Sequence, residues 1–221
     1  MDYAAQIAVF LLAQVPKLLA GFLITVGIGA AAIPLALALG LVLLAPRMSR
    51  NRIVSGATVA YIDLMRNTPL LVQIYLIYFG LPVLGFFPSE FSCGVAGIAL
   101  QHGAFLVETY RVGVESVSDR QRDAARALGM GRLKALRLVI LPQALIRILG
   151  PLGNQLIVLI KDTSLVSAIG VAELTMTGKI IIERSAASVE IFVAVALFYL
   201  VLTSFVGGLF RVIEYRVAEK M

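Results

Sequence analysis

The sequence predicts an all-α integral membrane protein with about five transmembrane helices. Of its 221 residues, 60% are hydrophobic and only 14% charged, against roughly half and a quarter in a soluble domain. From Leu18 to Ala45 there is no ionisable side chain, and roughly 20 apolar residues suffice to cross a bilayer as a helix. The net charge of +6 is scattered rather than gathered on one helix with interleaved aromatics. That pattern argues against nucleic acid and for cytoplasmic loops of a membrane chain. A single domain over 1–221 is expected, with its core at about 18–212.

Hydropathy places the first span at Leu18 to Ala45 and the second at Val54 to Leu84, overlong and interrupted by Asp63, Arg66 and Pro69. The third covers Phe91 to Val107, the fourth Leu136 to Ile160 and the fifth Val189 to Phe210. Residues 4–15 are too short to span and read as an interfacial helix or an extension of the first span. No Lys or Arg precedes Lys17, so the basic start of a cleaved signal peptide is not expected. Segment 161–188 reads as a re-entrant piece. Pro34, Pro69, Pro142 and Pro151 mark breaks or packing kinks, which membrane helices tolerate where the freed backbone is buried in protein.

Orientation follows from the cations. Arg47, Arg50, Arg52 and Arg66 lie in or beside the first connection. Seven more, from Arg111 to Arg137, lie in the third, and Arg211, Arg216 and Lys220 in the tail. The opposite side holds Lys17, Lys161, Lys179 and Arg184. Positive residues accumulate on the cytoplasmic side, so the N-terminus is expected outside and the C-terminus inside.

Between spans three and four lies "DAARALGMGRLKALRLVILP", residues 123–142. Ser118 with Gln121 three residues on is a capping-box pattern, which predicts a short helix from Asp119 to Leu128. Gly129 supplies the stop, since glycine accepts the left-handed conformation. Ala124, Ala125 and Leu128 share one face, and Pro142 is placed to end or kink a second helix. Such an elbow suits transmission of movement from a cytoplasmic partner, and equally a hairpin lying on anionic headgroups.

Asp123-Ala124-Ala125, Gly129, Val139 and Leu141-Pro142 resemble the "EAA" loop of the membrane subunits of bacterial ABC importers, with the spacing matched throughout. Asp123 stands for Glu and Val139 for Ile; both keep the chemical type. "YIDLMRNTPLLVQIYLIYFGLP" (61–82), "FLVETYRVGVESV" (105–117) and "NQLIVLIKDTSLVSAIGVAEL" (154–174) resemble the polar-amino-acid branch of those permeases. The resemblance implies that residues 119–135 form the coupling helix docking on an ATPase subunit. It implies a second permease subunit, identical or homologous, a periplasmic solute-binding protein, and a bacterial inner-membrane location. It also implies that "RNTPL" and "KDTSL" border the substrate passage. An ion-coupled secondary carrier and a non-transporting membrane scaffold are the other readings of such a chain.

Polar groups at membrane depth are expected to be functional. Lys161, Asp162, Thr163 and Ser164 follow an apolar run containing Asn154 and Gln155. Asp162 suits the ammonium of an amino acid; Thr163, Ser164 and Thr68 suit its carboxylate. An ion pair of Asp162 with Lys161 or with another span is the structural alternative. Glu108 is a passage candidate and also fits a local pair with Arg111 at i, i+3. Arg147 is expected to snorkel, Arg66 to anchor the cytoplasmic side, and lone His102 to be packed and hydrogen-bonded. No phosphate loop G-x-x-x-x-G-K-[ST] is present, so ATP is expected on a partner subunit, with no catalytic residue, metal or cofactor in this chain. Lone Cys93 has no partner for an internal disulfide.

Overall fold

The computed structural model describes residues 3–219, and every regular element among them is helical. The helices are α1 (Tyr3–Arg47), α2 (Arg52–Asn67), α3 (Leu70–Val83), α4 (Glu90–Glu115), α5 (Asp119–Ala127), α6 (Arg132–Ala135), α7 (Leu141–Asp162), α8 (Leu174–Ser185) and α9 (Ser188–Glu219). A π-helical turn, Leu136–Ile140, joins α6 to α7, and a 3-10 segment, Thr163–Ile169, follows α7. Four stretches are long and apolar enough to cross a membrane: Ala5–Arg47, Glu90–Glu115, Arg132–Ile169 and Ser188–Val217. They contain four of the five expected spans. The segment at 4–15 extends the first span rather than lying apart from it.

The second expected span is not one helix. It is the pair α2 and α3, parted at Thr68 and Pro69, both in extended conformation. Pro69 causes the break. Its ring disfavours helical backbone at Thr68, and it has no N–H to offer the Met65 carbonyl one turn back. Two glutamine amides take its place. Nε2 of Gln73 donates to the Met65 carbonyl at 2.8 Å, and Nε2 of Gln101, on α4, donates to it at 3.0 Å. Both also donate to the Thr68 carbonyl. Alone, the 14 residues of α3 reach about 21 Å, short of a bilayer's apolar thickness.

Helix α4 is the central post. Its buried face carries Ile98, His102, Leu106 and Tyr110, and it packs on α1, α3 and α7. Small residues bring the axes close: a Cβ on Gly103 would meet Leu39 Cδ2 of α1 at 2.7 Å, and one on Gly113 would collide with Ile148 of α7. This is how membrane helices gain packing where lipid offers no hydrophobic drive. The expected re-entrant segment is instead the 3-10 turn followed by α8, whose 12 residues pack against α1 and α9.

Glu173 secures that corner. Fully buried, it caps α8 by accepting from the amides of Thr175 (2.9 Å) and Met176 (2.8 Å). It also accepts from the hydroxyls of Tyr199 on α9 (2.9 Å) and Thr25 on α1 (3.3 Å). Four donors around one carboxylate offset the cost of burying it.

Candidate functional site

The elbow forms close to where the sequence places it. Helix α5 runs Asp119–Ala127 and ends in a full Schellman motif. Gly129 sits at φ +72°, its N–H bonds the Arg126 carbonyl, and the Met130 N–H bonds the Ala125 carbonyl. The expected capping box does not form: Ser118 holds the N-cap position without a side-chain bond to the helix. Ala125 is 2% exposed and faces inward, whereas Ala124 and Leu128, 77% exposed, face outward. The single apolar face expected of these three is therefore split. Asp123 pairs with Arg126 at 3.2 Å on the outer surface.

Pro142 does not sever the chain from its membrane helix. It stands in the first turn of α7, where the widened turn before it accommodates the missing N–H. The preceding turn widens into the π-helix, and the helical course from Arg132 to Ile169 continues through it. Val139, Leu141 and Pro142 lie at this junction. Movement of α6 therefore reaches α7 through hydrogen-bonded backbone, and α5 joins α6 through the short turn 128–131.

An ion cluster secures the same end. Glu108 accepts from Arg47 Nε at 2.8 Å and from Arg111 Nη2 at 2.7 Å, and Arg111 also bonds Glu115. Arg147 does more than snorkel: its guanidinium donates to the Ser116 carbonyl at the end of α4. Arg122 donates to the Val114 carbonyl at 2.8 Å, tying α5 back to α4. A cavity of about 330 Å³ opens here, lined among others by Arg66, Phe105, Glu108, Arg147 and Gln155. Arg66 rests over the Phe105 ring, 5.1 Å from its centroid.

Deeper in, of the two structural alternatives for Asp162 the pair with another span forms, and a pair with Lys161 is absent among the described residues. Asp162 Oδ2 instead meets His102 Nε2 at 3.0 Å, and His102 Nδ1 meets Gln155 Nε2 at 2.8 Å. Lys161 points elsewhere, into a groove with Thr175 and Tyr199. The other candidates are dispersed. Thr68 donates to the Leu64 carbonyl and accepts from Gln73 at the α2–α3 break. Thr163 is buried and its hydroxyl is spent on Ile160; Ser164 bonds the Lys161 carbonyl. Asn154 lines a separate cavity against α9 with Phe210, Arg211 and Glu214. Sequence reasoning did not assign roles to Gln73, Gln101 or Glu173. Only Glu173 gave a local signal, an acidic residue immediately before a helix.

Residues 32–219 match the family described as binding-protein-dependent transport system inner membrane component. The chain belongs to that family. It is an integral membrane permease subunit of an importer, not itself catalytic, working in general with a separate ATPase and a binding protein. It is similar to the glutamine transport system permease protein GlnP of Escherichia coli K12, 39% identical over 91% of this chain and 93% of that one. The nopaline transport system permease protein NocM of Agrobacterium fabrum is 36% identical over 93% of this chain and 86% of its own. Among solved structures, an amino acid ABC transporter crystallised with histidines matches the permease with a TM-score of 0.88. Its identity is 33%, over 98% of this chain and 99% of that one.

Proposed function

We propose that this permease carries a polar amino acid or related zwitterion across the bacterial inner membrane, as one of two permease subunits around a shared passage. Its twin is a second copy or a homologue, its flanks face lipid, and a periplasmic binding protein delivers the cargo. ATP is bound and hydrolysed on cytoplasmic subunits, with no cofactor in this chain. The N-terminus lies outside and the C-terminus inside. The α2–α3 pair completes the fifth crossing together with the turn between its helices.

One observation carries the coupling assignment: an exposed helix stopped at Gly129 turns within a few residues into a helical course that runs from Arg132 through α7, which bears Gln155 and Asp162. Asp123, Ala124, Ala125, Gly129, Leu141 and Pro142 form this lever. Asp162 is the candidate for the cargo's ammonium. Thr68, Glu108, Asn154, Lys161, Thr163 and Ser164 border or brace the passage. The cargo class is supported by the glutamine and nopaline carriers to which the chain is similar. The test is a deletion within 123–129, assayed in proteoliposomes with the partner subunits. The subunit should remain in the membrane while ATP hydrolysis is uncoupled from uptake; normal uptake contradicts the assignment.

A further inference from the structure

His102 sits on the buried face of α4, 1% exposed, between two polar residues of α7. Gln155 and Asp162 are seven residues apart, two helical turns, and therefore share a face. Gln155 lines the cavity that opens between α4 and α7; Asp162 lies further along the same helix with its side chain 31% exposed. The imidazole bridges them.

The protonation pattern of this bridge is fixed at one nitrogen by elementary chemistry. An ionised carboxylate has only acceptor sites, so the proton between His102 and Asp162 belongs to Nε2. The Gln155 side-chain amide at Nδ1 holds the other edge of the ring, so both imidazole nitrogens are fixed against α7. One Asp162 oxygen, Oδ2, is then occupied, while Oδ1 has no protein partner among the described residues. Asp162 is the last residue of α7 before the 3-10 segment. A carboxylate held there, with one oxygen free and Lys161 turned into another groove, is a place for an incoming cation.

We infer that His102 is a positioning residue, which holds the Asp162 carboxylate with its free oxygen presented to the ammonium of the cargo. This rests on the reading that Asp162 lines the passage. Without the Nε2–H, the carboxylate loses its only bond to a neighbouring helix and is free to rotate toward Lys161. The imidazole is needed for its proton rather than its bulk.

The test uses proteoliposomes holding the permease, its ATPase and its binding protein. Uptake of a radiolabelled mixture of amino acids is measured per assembled complex. His102→Leu and Asp162→Asn should each lower ATP-driven uptake by about tenfold, the loss expected for one charge-assisted bond. His102→Gln carries an amide N–H near the Nε2 position and should stay within about threefold of the wild type. The double variant His102→Leu, Asp162→Asn should be no slower than Asp162→Asn alone, since His102 acts only through that carboxylate. A Gln variant as slow as Leu, or effects that multiply, would overturn the inference. Wild-type rates in Asp162→Asn would remove Asp162 from the passage and the inference with it, leaving the importer reading intact. No ATP-driven uptake by the wild-type complex would instead sink that reading itself. His102 is the chain's only histidine, so nitrogen NMR of its ring reports the contact without a His102 variant. Asp162→Asn must shift the Nε2 resonance, and an unchanged resonance overturns the inference.

Discussion

Arg47 at the end of α1 and Glu108 in α4 lie 61 positions apart in the chain, and their side chains meet at 2.8 Å. Arg111 holds the second oxygen of the same carboxylate. The bond aligns the C-terminal ends of two helices that hydropathy treats as separate spans. Removal of Glu108 leaves two part-buried guanidiniums without their shared acceptor, whereas removal of Arg47 leaves the Arg111 pair intact. Glu108→Ala should therefore lower the melting temperature of the detergent-solubilised complex by about 2–6 °C, or about 1–2 kcal/mol in a chain of this size. Arg47→Ala should cost about half as much, and the double variant no more than Glu108→Ala alone. Equal, additive losses would show that the two side chains do not work as a pair.

Gly129 is constrained by backbone and not by space. Its φ is +72° and no atom lies within 4 Å of where a Cβ would stand. Any L-residue there bears about 1–2 kcal/mol of left-handed strain, least for Asn. Gly129→Ala should loosen the end of α5 and reduce the amount of uptake per ATP hydrolysed several-fold, and Gly129→Asn should recover most of it. Comparison of uptake with phosphate release in the same vesicles checks this. Identical behaviour of Ala and Asn would move the cause from conformation to a side-chain contact.

Glu173 receives four hydrogen bonds from three helices. An amide presents an N–H₂ where the carboxylate presented an acceptor, so Glu173→Gln should leave at least one donor unpaired at about 1–3 kcal/mol. Tyr199→Phe removes a single donor and should cost about 0.5–1.5 kcal/mol. Thermal unfolding of both variants, with protease nicking at Gly170–Ala172 as a local readout, distinguishes them. A Gln variant as stable as the wild type would mean that the corner is held by packing alone.

The parts of this architecture legible in the sequence are those with local signals. Long, mostly apolar runs mark four of the spans, and a glycine at a fixed interval marks the stop of α5. The break at Pro69 was visible as a proline but read as part of one span, because hydropathy averages over 54–84 and is blind to backbone hydrogen bonds. What satisfies the break, Gln101, is 36 positions from Met65. His102 and Asp162 were each conspicuous as polar residues in apolar helices. Their pairing across 60 positions depends on how closely α4 and α7 approach. That approach is set by Gly113 against Ile148, a contact with no local trace.

The contacts around Glu108, Arg147 and Gly153 gather the end of α1, the end of α4, the start of α7 and the end of α9 at one pole of the molecule. Gln6 and Phe10 meet Ser185 and Glu190 at the other. If the arginine-rich pole faces the cytoplasm, Leu128 and Ala187 lie on opposite sides of the membrane. Leu128 is strongly exposed and Ala187 follows the turn that ends α8. Cys93 is buried at 1% exposure, so the native thiol should stay silent and single cysteines can be introduced without removing it. Leu128→Cys should react with a membrane-impermeant maleimide only in inside-out vesicles, and Ala187→Cys only in intact spheroplasts. The opposite pattern would invert the molecule and leave the α5 elbow facing away from any source of ATP. Labelling of both sites from one side would require an even number of crossings between them. Four-span and five-span arrangements differ in whether α2 and α3 together cross, so Ser55→Cys, in the first turn of α2, and Phe87→Cys, just after α3, complete the measurement. Their labelling from opposite sides is the result expected of a chain in which the Thr68–Pro69 break lies within the bilayer, with its carbonyls held by Gln73 and Gln101 instead of water.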